Sequence, residues 1–88
     1  MRNQCRQHLI LYSTAACHLC EQAEAMLARA VNELPGITYR ITDISDSDEL
    51  FQRYGWHIPV LRFADGSELH WPFDDRELRQ RLRGPTAL

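Results

Sequence analysis

Two cysteines three positions apart, Cys17-His18-Leu19-Cys20, follow a short apolar segment and open a stretch with helical spacing. Such a pair can close a disulfide, supply half of a tetrahedral metal site, or lie as two buried thiols. The position at a helix start favours redox chemistry. Cys17 falls at or just before the first turn, where unpaired backbone N–H groups and the positive end of the helix dipole stabilise a thiolate. Cys20 lies one turn later on the apolar stripe and is shielded there. Cys17 therefore reads as the attacking thiolate and Cys20 as the resolving thiol. A protonated His18 beside Cys17 would favour the anion further and make the bridge more oxidising; otherwise His18 is a solvated loop residue.

The other readings are tested by counting ligands. A zinc site needs a second ligand pair. Cys5, His8, His57 and His70 are scattered, with neither a second C-x-x-C nor a pair of closely spaced histidines. Covalent haem attachment needs histidine directly after the second cysteine, where Glu21 stands. Inert buried thiols do not fit either, because Cys17 is off the apolar stripe. Cys5, in a polar N-terminal tail, reads as a passive thiol.

The whole chain limits what can hold this pair. Its 88 residues allow one domain (1–88), with a polar tail at 1–7 and a second tail at 84–88. Hydrophobic content of 44%, charged content of 25% and a formal charge of −2 are those of an ordinary soluble protein. They offer no basic face for nucleic acid or anionic lipid. All ten basic residues counted as Lys+Arg are arginines. No lysine is present to form a Schiff base or to lower a thiol pKa. An apolar run such as Leu9–Tyr12 is far too short to span a bilayer. The first residues lack the apolar segment of a secretory signal, so a reducing cytoplasm is expected. Three cysteines fit a redox pair plus one spare thiol better than a disulfide scaffold.

The elements alternate in type. Leu9-Ile10-Leu11-Tyr12 is a continuous apolar run, as expected of a strand covered on both faces. Ser13 to Ala16 form a small connection. From Cys17 the stripe Cys20, Ala23, Leu27, Ala30, Val31 and Leu34 predicts an amphipathic helix that Pro35-Gly36 ends. Ile37, Tyr39 and Ile41 alternate with Thr38, Arg40 and Thr42 as a half-buried strand. The acidic, serine-containing segment 43–49 predicts a capped helix with Leu50, Phe51 and Tyr54 inward. Gly55 suits its left-handed C-terminal position. Val60–Phe63 and Ser67–His70 flank Asp65-Gly66 as a hairpin. Asp74 caps a last helix with Leu78 and Leu82 inside and Asp75→Arg79 and Glu77→Arg81 pairs outside; Gly84-Pro85 closes it. The order β-α-β-α-β-β-α predicts an α/β fold. Its mixed four-stranded sheet has a right-handed parallel crossover, an antiparallel hairpin and helices on both faces. This is a minimal thioredoxin-type arrangement.

With strand, short loop, Cys17-His18-Leu19-Cys20 and helix followed by Ile58-Pro59-Val60-Leu61 and an Asp-Gly hairpin, the chain resembles the glutaredoxin-like branch of the thioredoxin superfamily. The resemblance runs from about Leu9 to Leu82 and includes small bacterial proteins with a C-H-L-C centre. An arbitrary X–Pro bond is cis only about 5–6% of the time, but the resemblance implies a cis Ile58–Pro59 bond packed against the dithiol. The Ile58 backbone would then pair with an extended substrate, and Trp56 and His57 would line the same groove. Two departures stand out. Thr14 or a neighbour occupies the place of the lysine that many glutaredoxins carry before the first cysteine. Trp71-Pro72 stands where a Gly-Gly pair would let glutathione approach. Asp74 or Asp75 matches the acidic helix start.

The resulting expectation is a monomeric thiol–disulfide oxidoreductase. Cys17 and Cys20, with His18, carry the chemistry, and Trp56, Ile58, Pro59, Trp71 and Asp74 form the substrate side. No metal or organic cofactor is required. The substrate is a disulfide-containing protein or a low-molecular-weight thiol compound, and glutathione or a thioredoxin reductase restores the dithiol. Membranes and nucleic acids are not expected partners. Two alternatives remain: a [2Fe–2S] carrier in which two chains share a cluster through Cys17, and a thioredoxin-like adaptor that binds through the Trp56–Pro59 groove without turnover.

Overall fold

The computed structural model describes residues 7–15 and 17–83. Cys5 and the Gly84-Pro85 stop lie outside them. The elements follow in the order β1 (Gln7–Ser13), α1 (His18–Glu33), β2 (Ile37–Asp43), a short 3₁₀ turn (Ile44–Asp46), α2 (Asp48–Tyr54), β3 (Val60–Arg62), β4 (Glu68–His70) and α3 (Asp75–Arg83). They form one four-stranded sheet in the order β2-β1-β3-β4. The α/β thioredoxin-like fold read from the sequence is present.

β1 is the inner strand on which the rest is assembled. It pairs in parallel with β2 from Gln7↔Ile37 to Ser13↔Asp43, and antiparallel with β3, Tyr12 opposite Val60. Strand alternation sends Leu9 and Leu11 to one face and Ile10 and Tyr12 to the other. On the first face Leu9, Leu11, Leu61 and Leu69 pack with Ala23, Leu27 and Ala30 of α1 and Leu78 and Leu82 of α3. On the second face Tyr12 and Val60 pack with Ile44 and Tyr54, joined by half-buried Ile10, Leu50 and Ile58. Continuous apolar sequence in β1 is the signature of this two-sided burial.

Helix ends are capped as local chemistry requires. Ser47 accepts the Leu50 N–H at 3.3 Å at the start of α2, and Asp74 accepts the Glu77 N–H at 2.7 Å before α3. In the hairpin, Gly66 takes φ +90°, and Asp65 Oδ1 accepts from the Ser67 N–H at 2.9 Å. The positive φ explains glycine there.

The structure corrects several expectations. Gln7 belongs to β1 rather than to the tail: its backbone N–H donates to Gly36 O and its side-chain amide to Leu82 O, each at 3.0 Å. Phe51 is 57% exposed, because helix α2 is only two turns long and its inner face is filled by Tyr54 and Leu50. Ile41 is also largely exposed, since β2 is an edge strand. Gly55 is not left-handed; it has φ −54° and continues the helical region. Glycine is needed there for space, because a Cβ would lie 2.5 Å from the Phe51 carbonyl oxygen. Arg79 does pair with Asp75 at 3.2 Å, but Arg81 turns from Glu77 to stack on the Phe63 ring at 4.5 Å and donate to Ser67 Oγ. Stacking on an aromatic face and bonding a fixed hydroxyl replaces a solvent-screened ion pair.

Two substitutions separate these environments. Leu61→Ala, at a fully buried centre, is expected to cost about 2–5 kcal/mol in urea unfolding. Phe51→Ser is expected to stay within about 0.5 kcal/mol of the parent; a loss comparable to that of Leu61→Ala would show that Phe51 is part of the core.

Candidate functional site

The site is assembled at the end of the sheet where β1 stops. Beyond Ser13 the chain turns through a short loop to Cys17, which is the N-cap of α1 with extended backbone (φ −105°, ψ 104°). Its carbonyl accepts the Glu21 N–H at 3.1 Å, the first bond of the helix. Its sulfur accepts the Cys20 N–H at 3.2 Å, the bond that a serine or aspartate oxygen makes at an ordinary N-cap. Cys17 and Cys20 form a disulfide with Cα atoms 5.2 Å apart. Cys17 is half-buried, whereas Cys20 is only 3% exposed. His18 and Leu19 between them are exposed, Leu19 to 44%. The two cysteines therefore differ in burial, Cys17 partly open and Cys20 covered.

Strand register brings the second segment alongside. With Val60 opposite Tyr12, Pro59 borders Ser13, where the cysteine loop begins. The Ile58–Pro59 bond is cis. The Ile58 side chain is half-buried in the second cluster, Pro59 is buried, His57 is exposed and Trp56 is 92% exposed. Trp56 is thus no cover for the core. On the other side of Pro59, Val60 pairs with His70, and the Trp71 N–H donates to the Pro59 carbonyl at 3.3 Å. Trp71 meets Phe73 edge to face at 5.1 Å and packs half-buried against the main core, followed by a cis Trp71–Pro72 bond. Asp74 is exposed, with Oδ1 engaged as the cap of α3.

Beneath this loop lies a polar network that residue patterning did not reveal. Tyr54, the last residue of α2, stacks on Tyr12 with ring centres 4.3 Å apart and planes at 17°. Its hydroxyl donates to Glu68 Oε2 at 2.5 Å. The other oxygen, Glu68 Oε1, is 3.1 Å from His70 Nε2, and the His70 ring faces His57 at 5.7 Å. Burial, then the bond to Glu68 and its charge, push the Tyr54 hydroxyl from 10.0 up to about 12. The bond from Tyr54 holds the Glu68 carboxyl below its ordinary value, helped by His70. The signal available in the sequence was alternation: Glu68 and His70 share one face of β4, and Tyr54 was already assigned inward. Nothing local says that these faces meet.

The profile of the Glutaredoxin-like domain (DUF836) matches residues 8–83. The chain belongs to this family. Among solved structures, the glutaredoxin-like domain is similar to target protein XcR50 from X. campestris, with 43% identity, a TM-score of 0.74, and coverage of 85% of this chain and 95% of that one. It is similar to protein Ne2328 from Nitrosomonas europaea at 26% identity and a TM-score of 0.75, covering 92% and 98%. A thioredoxin mutant from Halobacterium salinarum shares the fold, with 22% identity and a TM-score of 0.72 over 94% of this chain and 77% of that one. No curated protein matches. A thioredoxin-like, glutaredoxin-like domain with the Cys17–Cys20 pair supports a function of redox type. Among the described residues no helix is long and apolar enough to cross a membrane.

The raised value for Tyr54 has a testable sign. Its network contributes stability that is complete below the unfolded value near 10.0 and is lost as pH rises through about 12. Phenolate absorbance should show one tyrosine ionising near 12, a step that Tyr54→Phe removes.

Proposed function

We propose that this glutaredoxin-like domain is a thiol–disulfide oxidoreductase with Cys17 as nucleophile and Cys20 as resolving thiol. The observation that carries the reading is the N-cap geometry. Cys17 sulfur is the acceptor at the mouth of α1, in a half-buried residue, with buried Cys20 one turn deeper. Backbone N–H groups and the helix dipole at that position favour a thiolate, and a cationic His18 would add to the effect.

In the reduced domain the Cys17 thiolate attacks one sulfur of a substrate disulfide. The S–S bond breaks, the first substrate thiolate leaves and takes a proton, and a mixed disulfide joins Cys17 to the substrate. Cys20 then loses its proton and attacks the Cys17 sulfur. The second substrate thiol departs, and the Cys17–Cys20 disulfide forms. Two electrons have passed from the dithiol to the substrate. Trp56 and Leu19, both exposed, would offer apolar contact to a protein substrate. Ile58, just before β3, offers backbone groups for an extended segment, in the manner of strand addition.

The return of electrons falls to a dithiol reductase, with glutathione as a weak donor. Trp71 and Pro72 support this. The Trp71 N–H is taken by Pro59, its side chain lies on the core, and Pro72 has no N–H to offer a carboxylate. A cytoplasmic, monomeric protein acting on disulfide-containing proteins is the accompanying expectation.

Cys20→Ser should stop the reaction at the mixed disulfide. Incubated with a lysate, it should retain disulfide-linked proteins that dithiothreitol elutes, whereas Cys17→Ser should retain none. Equal recovery by both variants would reverse or abolish the assigned roles.

The electron source is checked separately. Turnover with thioredoxin reductase should exceed turnover with glutathione and glutathione reductase, by at least about tenfold if a single backbone contact is missing. Equal or greater activity with glutathione would show that Trp71-Pro72 does not obstruct it.

A further inference from the structure

The segment Gly55–Pro59 carries the proposed substrate contacts, yet two of its five residues are strongly exposed, Trp56 at 92% and His57. Something must hold it. Its exit is tied by the Trp71 N–H on the Pro59 carbonyl. Its entry depends on Tyr54, whose carbonyl accepts the His57 N–H at 2.8 Å. Tyr54 in turn is fixed from three sides. Tyr12 of β1 stacks on its ring, Arg53 has its guanidinium 5.5 Å from the ring centre, and Glu68 of β4 accepts its hydroxyl proton. Glu68 uses its second oxygen on His70, whose ring faces His57 in the loop itself. The path Tyr54–Glu68–His70–His57–Tyr54 is a closed circuit around the start of the loop.

From this circuit we infer that Glu68 is a positioning residue. Its carboxylate holds the Gly55–Pro59 loop, and with it the Ile58 backbone, through Tyr54 on one oxygen and His70 on the other. Glu68 touches neither sulfur, so it acts on substrate placement and not on the reacting atoms. The protonation states suit the task. The carboxyl is held below its ordinary value and the phenol well above its own, so acceptor and donor stay fixed across the neutral range. A charge-assisted bond of this kind is shorter and about twice as strong as a neutral one, and at half-buried Glu68 it is only partly screened. The inference rests on the oxidoreductase reading for its consequence, but its geometry stands apart from that reading.

The full-length chain is tested with two substrates. One is a short extended peptide whose single cysteine carries a cysteamine mixed disulfide; the other is hydroxyethyl disulfide, which has no backbone to pair with Ile58. Glu68→Ala and Tyr54→Phe should each raise KM for the peptide about three- to tenfold, the range of one charge-assisted hydrogen bond shared over a loop. Neither should change kcat, the KM for hydroxyethyl disulfide, or the rate of iodoacetamide labelling at Cys17. Glu68→Gln, which keeps an acceptor for Tyr54, should fall between wild type and Glu68→Ala. The double variant should be no worse than the poorer single one, because both remove the same bond. A fall in kcat, or an equal change for both substrates, would overturn the inference. Should Glu68→Ala not fold, Tyr54→Phe keeps the stack on Tyr12 and carries the same expectation. Amide hydrogen exchange at His57 gives an arm that needs no activity. Exchange should quicken in Glu68→Ala and Tyr54→Phe, and an unchanged rate would sink the positioning role. A wild-type chain without reductase activity would defeat the proposed function alone, leaving the exchange result to decide the loop.

Discussion

Burial of β1 on both faces is the constraint from which the rest of the structure follows. A strand with Leu9 and Leu11 on one face and Ile10 and Tyr12 on the other needs cover above and below, which α1 and α3 supply on the first face and Ile44 and Tyr54 on the second. Its two edges are taken by β2 in parallel and β3 antiparallel, so it lies inside the sheet. Each fully buried leucine contributes about 1.5–3 kcal/mol relative to exposure. A chain of this size has few such residues, so it cannot give up the arrangement. The site inherits its position from that strand. The cysteine loop leaves the end of β1, Pro59 enters at the same level through the pairing of Val60 with Tyr12, and Tyr12 is the platform for Tyr54.

The two faces of the sheet carry different work. α1 and α3 seal one face with aliphatic side chains, and Cys20 is buried at the start of that stripe. Among the described residues the other face receives the 3₁₀ turn and the two-turn helix α2, which leaves room for polar side chains at its margin. Tyr54, Glu68 and His70 occupy that margin. The Tyr54 and Tyr12 rings are buried, whereas Glu68 is half-buried and His70 exposed. The carboxylate end of the network therefore meets solvent, which keeps its desolvation cost below that of a fully buried charge.

Exposure is distributed unequally around the dithiol. Cys17 is half-buried, and Leu19 and Trp56 are two of the large hydrophobic residues left open to water. Cys20, in the first turn of α1, is only 3% exposed. A pair of sulfurs in such different surroundings divides naturally into one that meets a partner and one that waits beneath. Trp71, by contrast, gives its indole to the core and its N–H to Pro59, so bulk at that position stabilises the fold while closing off a backbone donor.

What could be read without coordinates was whatever depends on near neighbours in the chain. A continuous apolar run marked β1, helical spacing marked α1 and α3, the Asp65-Gly66 dipeptide marked the hairpin, and Cys17 was legible at a helix start because capping is decided within one turn. A capping serine within 43–49 and Asp74 as a cap were legible for the same reason, and the structure shows that the serine is Ser47. Tertiary structure alone decided three things. Phe51 and Ile41 lie outside because a two-turn helix and an edge strand each have too little partner surface to cover them. Gly55 is required by the approach of the Phe51 carbonyl, not by a left-handed turn. Tyr54, Glu68 and His70 meet because β4 pairs with β3 in one register, and a register is a property of two strands. Alternation assigns a side chain to a face; only the pairing of strands says what it will find there.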